Sequence, residues 1–254
     1  MSRHGKIKCW ECFGREVEWG HELVRDGWIL KNNPCSWGSE NPLIMILGFS
    51  KGRTQIKELE SGKFNEVPFK GMRKRIDVIL DRLGVLSQGE SISDKINEEE
   101  RDFSFGSLVR CSLLRIEGST GLIELAFRRE FPRRIIRTCV RRHLGELPSR
   151  LRLVLFFGNS DFYVDRCFEL VKELYPDTKK LNGISYYDPL EDRTWVHVVH
   201  PSRASGKNFS NWVSGIGKQG MKMRMAKEAI MEKAPMVCSS SEASIFERSH
   251  LLEI

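Results

Sequence analysis

No unbroken apolar run in this sequence approaches the length needed to cross a bilayer. The strongest, LIMIL at Leu43–Leu47 with Phe49 beyond Gly48, falls far short of the roughly 20 residues a spanning helix needs. A transmembrane protein is therefore excluded, and no membrane partner is expected. Behind the basic opening MSRHGKIKCWEC no apolar stretch follows of the kind a secretory signal carries, so a cytoplasmic chain is expected. Several enzyme signatures are missing as well: there is no GxxxxGK(S/T) phosphate loop, no GxSxG elbow and no HExxH pair. Metal-dependent nucleases want clustered acids, and the acidic stretch Glu98–Asp102 reads instead as a solvated helix face. No internal repeat is present.

What is present is ample for a buried core. The 254 residues, 40% hydrophobic and 30% charged, exclude disorder as the default and suffice for one large α/β domain or two small ones. Lysine and arginine number 41 against 34 acids, a net charge of +7, which makes a polyanionic partner plausible without identifying it. The excess is concentrated: Arg128–Arg142, RREFPRRIIRTCVRR, holds seven arginines and one glutamate. A solvated helix face is the plain reading, but arginine in place of lysine favours phosphate contacts. Seven cysteines in a chain expected in a reducing compartment read as thiols or metal ligands, not as a disulfide framework.

Periodicity sets the organisation. LIMIL, between Pro42 and Gly48, has the length and flanks of a buried strand, as do LRLVLFFG (Leu151–Gly158) and TWVHVV (Thr194–Val199). FSFGSLVRCSLL (Phe103–Leu114) offers a further short strand before Cys111. Between them Met72, Ile76, Ile79, Leu80 and Leu83 recur at helical spacing, with Gly84 as a stop. Phe131–Leu144 predicts a basic helix opened by Pro132, and Asp161–Tyr175 another helix ended by Pro176. Asn208–Lys233 reads as one long helix or two shorter ones, because Gly215, Gly217 and Gly220 weaken its middle.

Such alternation predicts an α/β fold, a three-layer α/β/α sandwich around a central, mostly parallel sheet. A single domain over 1–234 is expected, with 235–254 as a Ser-rich C-terminal tail. In such sheets ligands sit beyond the carboxyl ends of the strands, which directs attention to Gly48–Gly52, Gly158–Asp161 and His200–Gly206.

Three features could carry chemistry. His200-Pro201-Ser202 puts an imidazole at a strand end, where a structural hydrogen bond is the commoner role. GFSKG (Gly48–Gly52) has two glycines that permit close backbone approach to a ligand, although any tight turn could look the same. Cys9-x-x-Cys12 with Cys111 and Cys139 has the make-up of four soft ligands for zinc or an iron–sulfur cluster, against the plain reading of four ordinary thiols.

Taken in this order, the motifs resemble the uracil-DNA glycosylase superfamily, specifically its iron–sulfur branches. CWEC is similar to the N-terminal cysteine pair of that family, GFSKG to its first loop, and VPFKGMRKRIDVIL (Val67–Leu80) to its loop-and-helix segment. SLVRC and RTC resemble its later cysteine motifs, LVLFFG its next strand and VVHPS its histidine motif. The resemblance spans residues 9 to about 212. It implies DNA as partner, a monomer, and a four-iron, four-sulfur cluster on Cys9, Cys12, Cys111 and Cys139, with zinc as the second choice. The 28 residues from Cys111 to Cys139 exceed the spacing associated with the family, so an insertion is expected there.

By the same resemblance His200 is the donor to the departing base and Phe69 the aromatic stacked on it. Phe49, Ser107 and Asn159 are further candidates for base contact. Arg203, Ser202 and Lys207 belong to the loop that enters the duplex, where Arg203 or Phe209 would fill the gap left by the flipped nucleotide. Arg133 and Arg134 are expected near phosphates. Departures matter equally. GFSKG lacks the carboxylate or amide that handles water in the family, leaving Ser50, or Asp161 after the next strand, as replacements. Ser107 stands where the family has an asparagine that reads the pyrimidine edge, and Lys51 replaces a proline.

The expected activity is that of a monofunctional DNA glycosylase, leaving an abasic site, with a bulky modified pyrimidine as candidate substrate. Glucosylated 5-hydroxymethylcytosine in phage DNA is the natural class to test, in the setting of anti-phage defence. A repair enzyme for uracil or another deaminated base, a catalytically inactive iron–sulfur DNA-binding protein, and a metal-binding nucleic-acid adaptor are the alternatives.

Overall fold

The computed structural model describes residues 4–87, 89–118 and 122–238. The chain opens with strand β1 (Gly5–Lys6), the hairpin of β2 (Glu22–Arg25) and β3 (Trp28–Lys31), and strand β4 (Cys35–Gly38). Then come β5 (Ile44–Gly48), helices α1 (Arg53–Glu60) and α2 (Arg73–Arg82), strands β6 (Phe103–Ser107) and β7 (Ser112–Arg115), and helices α3 (Leu122–Arg128) and α4 (Glu130–Leu144). The last part holds β8 (Leu153–Phe157), α5 (Asp161–Leu174), β9 (Lys179–Asn182), β10 (Ser185–Asp188), β11 (Arg193–Val198), α6 (Gly206–Val213) and α7 (Gly217–Lys233).

Eight strands form one sheet in the order β1-β4-β6-β5-β8-β11-β10-β9. Its centre, β6-β5-β8-β11, is parallel, and its flanks are antiparallel. The sheet is thus parallel at its centre and mixed overall, because β9, β10 and β11 follow one another as local hairpins at one edge and β4 runs antiparallel to both β1 and β6 at the other. The central strands are apolar on both faces, as strands covered on both sides must be. Ile44, Ile46, Leu153, Leu155, Val196 and Val198 pack with Ile76, Ile79 and Leu80 of α2, Trp212 of α6 and Ile230 of α7. Met45, Leu47, Val154, Phe156 and Trp195 pack with Ile135, Ile136 and Val140 of α4 and Cys167 and Val171 of α5. Helices on both faces of the sheet are compatible with a three-layer sandwich.

Of the two arrangements expected over 208–233, the structure has the two shorter helices, α6 and α7, broken at Gly215 with φ +72°. Val237 lies buried in the first core cluster, so packing continues past residue 234; residues 239–254 of the expected tail lie outside the described residues. A second, three-stranded sheet, β2-β3-β7, joins the N-terminal segment to the strand that follows Cys111. Its hairpin turns at Asp26 (φ +50°) and Gly27 (φ +77°), the two consecutive left-handed residues of a type I′ turn.

Chain order and spatial order together locate a ligand site. Taken in sequence the parallel strands are β5, β6, β8 and β11, and β6 lies on one side of β5 while β8 lies on the other. The winding reverses between β5 and β8, the switch point at which open α/β sheets bind ligands.

Candidate active site

A cleft of about 510 Å³ opens at the carboxyl ends of the parallel strands. Its wall is built by Gly48–Gly52 after β5, Gly106 and Ser107 at the end of β6, Phe157 and Ser160 after β8, His200 after β11, and Phe69 from the loop before α2. Of the residues singled out in the sequence, His200, Ser50, Phe49, Phe69 and Ser107 therefore meet in one place, from segments up to 151 positions apart. Register explains the convergence: Gly48 pairs with Ser107 and Phe157 with Val198, so these strands end level.

His200 is fixed by its own loop. The Ser202 backbone N–H donates to its Nδ1 at 3.1 Å, which assigns the proton of the neutral ring to Nε2. Burial, aided by the nearby Arg75 guanidinium, pushes its pKa down to about 4. At neutral pH the imidazole is uncharged, a donor through Nε2, which bonds to no described residue. Arg75 on α2 clasps the same loop: Nη1 donates to the Ser202 carbonyl, and the guanidinium lies 3.7 Å from the centre of the Phe209 ring. Phe209 is thereby held against the protein, while Arg203 and Lys207 are exposed.

Phe69 is buried and meets Phe157 edge-on, with ring centroids 5.2 Å apart. Its φ of +54° is a left-handed conformation that costs an L-residue about 1–2 kcal/mol, the kind of strain kept where a side chain has to be aimed. The space over Gly48 receives the ring, since a Cβ there would stand 3.6 Å from Phe69 Cε1. Ser107 is 6% exposed, and its hydroxyl bonds to no described residue. Phe49 shares the wall with the core, edge-on to Tyr163 at 6.3 Å. Ser50 Oγ donates to the Leu113 carbonyl at 3.2 Å, tying the loop to β7.

Asn159 and Asp161 are not brought to the cleft. Asn159 donates to Gln219 Oε1 at 2.8 Å, and Asp161 pairs with Lys222 at 2.6 Å and Lys218 at 3.1 Å. These bonds tie the start of α5 to α7, and hydrogen bonds from Lys222 and then Lys218 hold the Asp161 carboxyl below its usual range. The residues between and beyond them face the other way: Ser160 and Phe162 line the cleft. Gln55, Met72, Leu122, Ile123 and Glu124 line it too. The sequence marked Met72 only as part of a helical stripe and the others not at all; for the last three, the only signal was the extra length between Cys111 and Cys139.

Cys9, Cys12, Cys111 and Cys139 line a second, small and partly open cavity, together with Arg110 and His143. Burial raises the Cys111 thiol to about 12 and Cys139 to about 11, and burial with repulsion from Cys139, Cys111 and Cys9 carries Cys12 higher still. As free thiolates the four would oppose one another. Among the described residues, no three His, Cys, Asp or Glu side chains are arranged to hold a single ion as they stand.

Two cations beside this cavity, which the sequence did not reveal, bear on what it could hold. Arg110 is 3% exposed, and its Nε and Nη1 are buried without a hydrogen-bond partner. Lys51 is 1% exposed, its Nζ donating to the Arg110 carbonyl. Unpaired buried cations are costly, and four thiolates around a metal centre leave a net negative charge that would offset them. The Arg110 N–H also donates to Cys139 Sγ at 3.1 Å, a bond that favours thiolate. By donor set and by charge, the residues fit a thiolate-bound metal group.

The arginine stretch forms the outer face of α4. Arg137 pairs with Glu173 at 2.8 Å and Arg142 with Glu11 at 3.1 Å, whereas Arg133 and Arg134 are exposed and pair with no described acid. No helix among the described residues is long and apolar enough to cross a membrane.

No known protein-family model matches this chain, and no curated protein matches it.

Proposed function

We propose that this chain is a DNA glycosylase of the uracil-DNA glycosylase superfamily, which hydrolyses the N-glycosidic bond of an extruded base and leaves an abasic site. The observation that carries the reading is the meeting of GFSKG, VPFKG, SLVRC and VVHPS around one cleft, with a neutral, donor-ready His200 beside an aromatic platform. Extrusion costs a few kcal/mol, which stacking on Phe69 offsets in part. As the bond to the sugar weakens, negative charge gathers on the base, and the His200 Nε2–H strengthens its hydrogen bond as that charge develops. Arg75 acts through the loop, holding the Ser202 carbonyl so that the imidazole is aimed before substrate arrives.

A modified pyrimidine is the substrate class the cleft favours. Its 510 Å³ lies well within the roughly 300–1,000 Å³ range of pockets for ligands larger than a single ring. Ser107 is small, and Lys51 is turned inward, which leaves space beside the ring for a substituent such as a glucosylated hydroxymethyl group. Arg203, Ser202 and Lys207 flank the His200 loop as the part that meets the duplex, and Arg133 and Arg134 offer phosphate contacts from α4. A four-iron, four-sulfur cluster on Cys9, Cys12, Cys111 and Cys139 would act as a cross-link, with no step of the hydrolysis assigned to it. The protein is read as a monomer acting in the cytoplasm, in phage defence.

The test is abasic-site formation on DNAs carrying normal bases, uracil, hypoxanthine, 5-hydroxymethylcytosine and its glucosylated form. Release of one modified base is expected, reduced about 10²- to 10³-fold in His200→Ala. DNA binding without any release would reassign the chain to a binding protein on a glycosylase-like fold.

A further inference from the structure

Hydrolysis at the sugar needs a water held against C1′ and a group to take its proton. The two candidates from the sequence are both engaged elsewhere. Ser50 Oγ is committed to the Leu113 carbonyl, and Asp161 is held by Lys222 and Lys218 off the cleft wall. Lys51 points its Nζ away, to the Arg110 carbonyl. Among the described residues lining the cleft, Glu124 is the one carboxylate.

Glu124 arrives from a direction unrelated to the first loop. It sits on α3, the short helix between β7 and α4, whose Leu122 and Ile123 also line the cleft. Its partner is Arg128, one turn on, at 2.7 Å, with the two side chains 54% and 63% exposed. An exposed i,i+4 pair contributes a few tenths of a kcal/mol at most, so folding gains little from having this acid here. Arg128 also lies 5.6 Å from the Phe162 ring, which belongs to the cleft wall. The pair is thus anchored at the rim.

We infer that Glu124 is the residue that holds and deprotonates the attacking water, an inference that rests on the glycosylase reading above. The C1′–N bond breaks with its electron pair leaving on the base, where the His200 Nε2–H shares the charge. The water oxygen forms the new bond to C1′ and its proton passes to the Glu124 carboxylate. From there the proton returns through solvent to the departed base, so that water is the sole reagent consumed and the carboxylate is regenerated. A carboxylate beside the reacting carbon also favours the oxocarbenium-like state electrostatically.

Single-turnover base release by wild type, Glu124→Gln, Glu124→Asp and His200→Ala, on the DNA panel described above, tests the assignment. Glu124→Gln is expected to slow the chemical step by about 10²-fold or more, with DNA affinity and melting temperature essentially unchanged. Glu124→Asp, which keeps a carboxylate, should recover part of the rate. A wild-type rate in Glu124→Gln, with His200→Ala inactive, would overturn the role of Glu124 and leave the glycosylase standing. A wild type silent on every substrate would overturn both.

Discussion

His197 and His200 are the last residue but one and the second residue past the end of the same strand, yet they do different work. His197 is fully buried, its Nδ1–H donating to the Gly158 carbonyl at 2.8 Å while Tyr186 Oη bonds to Nε2 at 3.1 Å. It braces the turn that delivers Ser160 to the cleft. Burial pushes both histidines down to about 4, against about 6.5 in an unfolded chain. Between those values the unfolded state binds more protons, so stability rises with pH there and is lost as pH falls from about 6.5 toward 4. Denaturant titrations are expected to show each histidine costing about 2 kcal/mol between pH 7 and pH 5, with a shallower fall in His200→Gln. Equal slopes in the two proteins would mean that His200 is not buried neutral. At this scale the sequence was informative where a motif sits at a strand end, as for His200, or just ahead of a clear helical stripe, as for Phe69. It was silent on Lys51 and Arg110, because nothing local announces a cation that will be buried without an acid.

At the scale of elements, what could be read was whatever buries two faces or one clean stripe. LIMIL, LRLVLFFG, the stripe of α2 and the basic α4 all stand where their patterns predicted. Missed were α1, the β9–β10 hairpin and the N-terminal strands: β2 and β9 are mostly exposed and give weak alternation, and β3 and β4 are only four residues each. The Asp26-Gly27 and Asn182-Gly183 pairs were the available turn signals for two of those hairpins. Other constraints appear only on packing. Gly106 in β6 is filled by the Arg110 guanidinium, which an added Cβ would overlap. Gly106→Ala is expected to displace Arg110 and to cost about 1–3 kcal/mol, read as a lower denaturation midpoint; an unchanged midpoint would show that Arg110 can relocate freely. If the four thiols hold a cluster, protein purified without oxygen should contain iron and absorb broadly near about 400 nm. Cys139→Ser should lose both signals, and iron-free wild type would return the four residues to plain thiols.

Across the whole molecule, charge and topology answer different questions. Three loops far apart in sequence meet because the parallel strands end level at the point where the winding reverses, and the α/β alternation was enough to anticipate that. Which side chains then face the cleft was not, since Ser160 and Phe162 alternate with Asn159 and Asp161 and no periodicity says which pair turns inward. The surplus of seven positive charges predicts salt-sensitive DNA binding. Replacing Arg133 and Arg134 by Ala should lower the slope of log affinity against log salt by up to about 0.9 for each lost phosphate contact. The wild-type slope in the double variant would leave that face to solvent.

The three-stranded sheet sets an order of events during synthesis. β2 and β3 are made early, but their third strand, β7, comes after Cys111, and the turn bearing Cys12 packs on α4, complete only at Leu144. At ribosomal speeds of roughly 5–20 residues per second, the turn bearing Cys12 waits on the order of ten seconds for α4. Through that interval Cys9 and Cys12 stand open to solvent as ordinary reactive thiols. Every residue lining the cavity they share with Cys111 and Cys139 has been made once α4 is complete, with β8, β11 and both C-terminal helices still to come, so whatever it encloses is captured no earlier than α4.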